Sequence, residues 1–162
     1  MSEFYGYTVR KTVEEDAPWA WVWSKYSRDY RFWLQQGEGV ESFLVLDKDQ
    51  PLGFYQIEHV GKGDQVRIHM QASPVASPKK ILAAITKLVP LLEKALAGRG
   101  VRAIFFTSKS EAMAQFMAQR FRYEYAGQGG ADGAIMAKGL LAVGSGPLAK
   151  SQEPTAKSGM EL

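Results

Sequence analysis

Phe43-Leu44-Val45-Leu46-Asp47-Lys48-Asp49-Gln50-Pro51-Leu52-Gly53-Phe54 sets two runs of β-prone apolar residues around a short stretch of turn chemistry. The pattern predicts a hairpin, with Glu41 to Asp47 as its first strand, Lys48 to Pro51 as its turn and Leu52 to Val60 as its return. Gly61-Lys62-Gly63-Asp64 is a second turn. It leads into Gln65 to Ala72, where Val66, Ile68 and Met70 alternate with Arg67, His69 and Gln71. That period of two predicts a half-buried strand whose polar members face solvent. Three antiparallel strands follow from this stretch alone.

Working outward toward the N-terminus, Tyr5 to Lys11 reads as a short strand. Thr12 is placed to cap a helix whose first turn carries Glu14, Glu15 and Asp16 at the positive end of the helix dipole. Trp19, Trp23, Tyr26, Tyr30 and Trp33 recur at spacings of four and three, which predicts one continuous helix with an aromatic stripe turned to the core. Trp21 and Phe32 fall off that stripe. Toward the C-terminus, Ser77 and Pro78 open a helix reaching about Ala97, with Ile81, Leu82, Ile85, Leu88, Val89, Leu92 and Leu96 on its apolar face and a kink expected at Pro90. Val101 to Thr107 is a buried strand, Ser110 caps a helix to about Phe121, and Tyr123 to Gly127 with Ala134 to Lys138 makes a terminal hairpin around Gly129 to Gly133.

With 162 residues, 46% hydrophobic, the chain is sized for one core. The folded domain is expected over residues 3 to 140, followed by a Gly/Ser/Pro/Lys-rich tail over 141 to 162 with no periodic apolar residues. Twenty basic and 17 acidic residues give a net charge of +3, too small to mark a chain built to coat nucleic acid. The absence of cysteine excludes disulfides, thiol nucleophiles and Cys-ligated zinc, and two histidines argue against a metal site. No signal peptide or membrane-spanning run is read from the sequence.

The order of elements from residue 5 to 139 resembles the acyl-CoA N-acyltransferase (GNAT) superfamily. The hairpin Phe43 to Phe54 and the stretch Ser110-Glu-Ala-Met-Ala-Gln-Phe-Met-Ala-Gln-Arg-Phe121 carry the resemblance. It implies an α/β (α+β) fold: a central mixed, mostly antiparallel sheet flanked by helices. In family members that bind acetyl-CoA, an Arg/Gln-x-x-Gly-x-Gly/Ala loop lets backbone N–H groups approach the pyrophosphate at a helix start. Here that region is Ser73-Pro-Val-Ala-Ser-Pro-Lys-Lys-Ile-Leu82, with Lys80 and Leu82 near the glycine positions and Pro78 lacking an N–H. The family's tyrosine acid on the last helix aligns with Met117, and its base, often drawn from the meander, would be Glu58 or His69.

These departures make a non-catalytic GNAT-fold structural or assembly component the leading expectation. The stretch Gln65 to Tyr125 resembles small virion-associated proteins of short-tailed bacteriophages, which implies a place in the virion or the host cytoplasm and no cofactor. Its partners would be protein subunits of a larger assembly, met by the tail and by the first helix through Trp21 and Phe32. The alternative is an acetyl-CoA-dependent N-acyltransferase with an atypical loop, in which Ser77, Lys79 and Lys80 hold phosphate and Glu58 or His69 is the base. Nucleic-acid binding through Lys25, Arg28 and Arg31 interleaved with Tyr26, Tyr30 and Trp33 is not expected, because those aromatics belong to the core stripe.

Overall fold

The computed structural model describes residues 2–24 and 29–140. In chain order its strands are β1 (Ser2–Phe4), β2 (Tyr7–Lys11), β3 (Gln36–Gly37), β4 (Val40–Asp47), β5 (Gln50–Val60), β6 (Gln65–Ala72), β7 (Ala103–Ser108), β8 (Glu124–Gln128) and β9 (Ala134–Gly139). The helices are α1 (Ala17–Ser24), α2 (Pro78–Gly98) and α3 (Glu111–Phe121), with short 3₁₀ segments at Glu14–Asp16, Tyr30–Leu34 and Gly130–Asp132. The strands form a mixed sheet in the order β1-β2-β4-β5-β6-β7-β9-β8, with β3 beside β4. The parallel pair is β6 with β7, aligned from Gln65 with Ala103 to Arg67 with Phe105. Parallel pairing needs a crossover connection, and α2 lies in the one between β6 and β7. The tail expected over 141 to 162, and Lys25, Tyr26 and Arg28, lie outside the described residues.

The chain divides into two compact units. Among the described residues, the first holds those up to Glu58 together with Ile68–Leu88; the second holds His59–Arg67 and those from Val89 to Leu140. In the first unit the hairpin turns tighter than its sequence predicts: Asp47 pairs with Gln50, and Lys48 takes the left-handed conformation at φ 58°. Gln50 and Pro51 therefore belong to β5. The register shifts between Val45 and Leu46, leaving Leu52 as the extra residue of a bulge. A bulge is one of the places where a strand tolerates the missing N–H of a proline such as Pro51.

The strand period sorts this unit's core onto two faces. Leu44 and Phe54 pack with Ala20, Trp23 and Trp33 beneath α1 and the Tyr30–Leu34 segment. Val45 and Leu52 pack with Ala84, Ile81 and Leu88 of α2. The long aromatic helix is corrected. Helix α1 covers Ala17–Ser24 and the chain from Tyr30 to Leu34 is 3₁₀, so Trp23 and Trp33 are buried but Trp19 is exposed. The Thr12 hydroxyl donates to the Trp33 carbonyl at 2.8 Å, and the Gln56 amide donates to the Phe32 carbonyl at 2.7 Å, so side chains anchor the 3₁₀ segment.

Thr12 is consequently no helix cap. The first turn instead starts at Val13, whose N–H donates to Asp16 Oδ2 at 2.8 Å. Arg10 grips the same carboxylate with two bonds, of 2.8 and 2.7 Å.

In the second unit Ser110 caps α3 as its position predicts, its Oγ accepting the Met113 N–H at 3.1 Å. The helix ends at Arg122 in the left-handed conformation, φ 65°. Tyr123 follows, buried, with its hydroxyl donating to Glu93 at 2.9 Å, while Lys138 Nζ donates to the other Glu93 oxygen at 2.8 Å. Burial and the adjacent Glu93 charge both push the Tyr123 hydroxyl pKa upward. Strands β8 and β9 close the hairpin around Gly129–Gly133, with the Gly129 N–H donating to the Gly133 carbonyl at 2.7 Å.

Candidate active site

The first unit brings Glu58 and His69 together. His69 Nε2 lies 2.8 Å from Glu58 Oε1. An ionised carboxylate only accepts hydrogen bonds, so with Glu58 ionised the contact requires the imidazole proton on Nε2. The two side chains differ in access: His69 is 8% exposed and Glu58 41%. A carboxylate open on one side and held on the other by a buried imidazole is oriented to take a proton from an incoming group.

The placing of His69 corrects the expectation that the polar face of β6 looks into solvent. Met70 is the exposed residue, at 51%, and His69 is buried. Phe32 accounts for the burial, its ring meeting the imidazole edge-on with centroids 5.0 Å apart. The same residue packs on Trp33 at 4.9 Å. Phe32 is therefore a half-buried roof over the histidine. Trp21, paired with Phe32 in the expected partner contacts, is exposed.

The roof is fastened by residues that pattern reading did not single out. Gln56, buried on β5, donates from Nε2 to the Phe32 carbonyl and to Ser42 Oγ at 3.1 Å. Gln36 Nε2 donates to the Ser42 carbonyl at 2.7 Å and to Thr12 Oγ1 at 3.0 Å. A glutamine between Tyr55 and Ile57 in a strand that buries Phe54 and Ile57 was the available signal, since buried amides are hydrogen-bonded. Nearby, a Cβ on Gly53 would stand 3.0 Å from the Gln71 carbonyl oxygen, so glycine permits the close approach of β6 to β5.

The start of α2 is built as its sequence predicts. Ser77 Oγ accepts the Lys80 N–H at 3.2 Å, and Lys79 and Lys80 are exposed. The backbone donors of the preceding loop are largely committed: Ser73 N–H to the Leu52 carbonyl at 2.8 Å and Val75 N–H to Ser73 Oγ at 3.2 Å. With Pro78 lacking a donor, this loop does not form a backbone cradle for a pyrophosphate. It does offer two exposed ammonium groups beside a helix start, which suits phosphate as a point-charge contact. In the second unit Met117 is buried on α3 and supplies no acid, and Tyr123 is engaged with Glu93.

Trp33 is 1% exposed and cannot stack on a base. Among the described residues no helix is long and apolar enough to cross a membrane.

No family model matches this chain, and no curated protein matches it. Solved structures do. The ribosomal-protein-S18-alanine N-acetyltransferase from Escherichia coli matches with a TM-score of 0.63 at 19% identity, over 83% of this chain and 94% of its own. The fold is that of the GNAT acetyltransferases. An aminoglycoside acetyltransferase, AAC(6')-Ib, in complex with coenzyme A matches at 0.61 and 19% identity, over 82% of this chain and 94% of that one. The PaiA N-acetyltransferase from Thermoplasma acidophilum, also with coenzyme A, matches at 0.56 and 13%, over 83% and 99%. These GNAT-fold neighbours correct the leading expectation of a non-catalytic virion component: they are acetyltransferases, two of them holding coenzyme A, and they favour the acyltransferase alternative.

Proposed function

We propose that this protein is an acyl-CoA-dependent N-acyltransferase in which Glu58 serves as the base and His69 orients it. The observation that carries the reading is the 2.8 Å contact between a buried imidazole and a solvent-accessible carboxylate, on a fold shared with acetyltransferases. The acyl thioester supplies an activated carbonyl carbon. The amine nitrogen bonds to that carbon, the carbon–sulfur bond breaks with its electron pair on sulfur, and the surplus amine proton goes to Glu58. His69 holds Glu58 Oε1 and leaves the outward side of the carboxylate for the acceptor. Phe32, fastened by Gln56, keeps water from His69. The departing thiolate takes its proton from solvent. That is tolerable for a thiol, whose pKa is about 8.5 in a free side chain.

Lys79 and Lys80 would hold the cofactor's phosphates through charge more than through backbone geometry, and that distinction is testable. Calorimetric titration of acetyl-CoA should show binding that weakens severalfold from low to physiological salt, and again severalfold in Lys79→Ala/Lys80→Ala. No binding at millimolar acetyl-CoA, or an affinity indifferent to salt and to both lysines, contradicts the assignment.

A further inference from the structure

Arg67, in the second unit, has a guanidinium poorly matched by its surroundings. Its side chain is 28% exposed. Nε is buried and, among the described residues, has no hydrogen-bond partner. The neighbouring Nη2 reaches Thr107 Oγ1 only at 3.5 Å and Asp132 Oδ2 only at 3.7 Å. Both distances are at or beyond the limit of a useful hydrogen bond. Nε and Nη2 together form the edge of a guanidinium that a carboxylate engages with two parallel bonds. That edge is underused here.

The group standing against it is itself a carboxylate on an exposed side chain, 55% accessible. Asp132 belongs to the Gly130–Asp132 turn, whose base is pinned by the Gly129–Gly133 bond and by Gly133, at φ 89°, wedged against the Ser108 carbonyl. The backbone is therefore fixed, and the Asp132 side chain can swing away without it.

We propose that the Nε–Nη2 edge of Arg67 is a carboxylate-binding site and that Asp132 is its built-in competitor. A carboxylate ligand displaces the Asp132 side chain, accepts from Nε–H and Nη2–H, and satisfies the donor that Asp132 leaves unmet. The planar fork meets the two oxygens of a carboxylate with two parallel bonds. This site is independent of the transferase reading, because its occupancy is read directly and involves no acetyl transfer.

The test is titration of the full chain with acetate, following the Arg67 Nε–H resonance by proton–nitrogen NMR. The expected result is a saturable shift of that resonance with half-saturation on the order of millimolar, as one bidentate pair gives. Asp132→Asn should tighten acetate binding a few-fold, since its competing charge is gone. Arg67→Lys removes the fork and should abolish acetate binding, followed on the backbone amide of Thr107, whose hydroxyl neighbours Arg67 Nη2. The proposal is overturned if the Nε–H resonance shows no saturable response in the wild type and in Asp132→Asn, or if Asp132→Asn binds acetate no tighter. Asp132 is exposed, so its variant carries the test even if the Arg67 substitution disturbs folding.

Discussion

Asp16 shows burial and pairing opposing each other at a single carboxyl. Burial pushes its pKa up, but the Arg10 hydrogen bonds, the Val13 N–H and the Arg10 charge outweigh it and leave the pKa below the ordinary carboxylate value. A depressed folded pKa means stability that is fully present above the ordinary carboxylate range and is lost as pH falls through the folded value. Asp16→Asn should therefore cost about 2 kcal/mol near neutral pH, the scale of hydrogen bonds to a charged group. The gap between wild type and variant should close as the solution is acidified. Denaturant midpoints measured at pH 7 and near pH 3 check both halves; an equal gap at both would remove the pairing argument. Little of this was legible in the sequence. Glu14, Glu15 and Asp16 look alike as first-turn acids, and only the folded chain brings Arg10 to the third of them. Glu58 and His69 were legible as candidates because they are titratable residues on neighbouring strands, yet their access was not. Phe32 buries the histidine from 37 residues earlier in the chain, a distance no local pattern spans.

Among the elements, local chemistry set the strands and α3, and tertiary contacts set the Tyr30–Leu34 segment. The cap at Ser110 and the terminal hairpin carry short-range signals, and each forms where those signals place it. The aromatic spacing from Trp19 to Trp33 fits a helix equally well throughout. In the fold the 3₁₀ segment is held by tertiary contacts, from Thr12 to the Trp33 carbonyl and from Gln56 to the Phe32 carbonyl. The terminal hairpin offers a sharp test. Gly133 combines φ 89° with a position where a Cβ would collide with the Ser108 carbonyl. Gly133→Ala should destabilise by more than about 2 kcal/mol, adding left-handed strain to a clash with backbone. Gly61→Ala, at φ 60° with open space around it, should cost about 1 kcal/mol. Equal losses in thermal or denaturant unfolding would show that the hairpin base yields.

At the scale of the whole molecule, the order of elements was legible in the sequence and its function was not. A loop lacking the family's glycines, and Met117 in place of tyrosine, pointed toward a fold kept for assembly. Glu58 and His69, both legible as candidates, meet at 2.8 Å in the folded chain, a contact that the loop and Met117 do not bear on. The measurement that bears most directly on the account is release of free coenzyme A thiol from acetyl-CoA in the presence of a panel of primary amines, for the wild type and Glu58→Gln. The account predicts amine-dependent release by the wild type and a loss of roughly a hundredfold or more in Glu58→Gln, the scale of removing a general base. Amine-dependent release that survives Glu58→Gln, or none from the wild type with any amine, would contradict it.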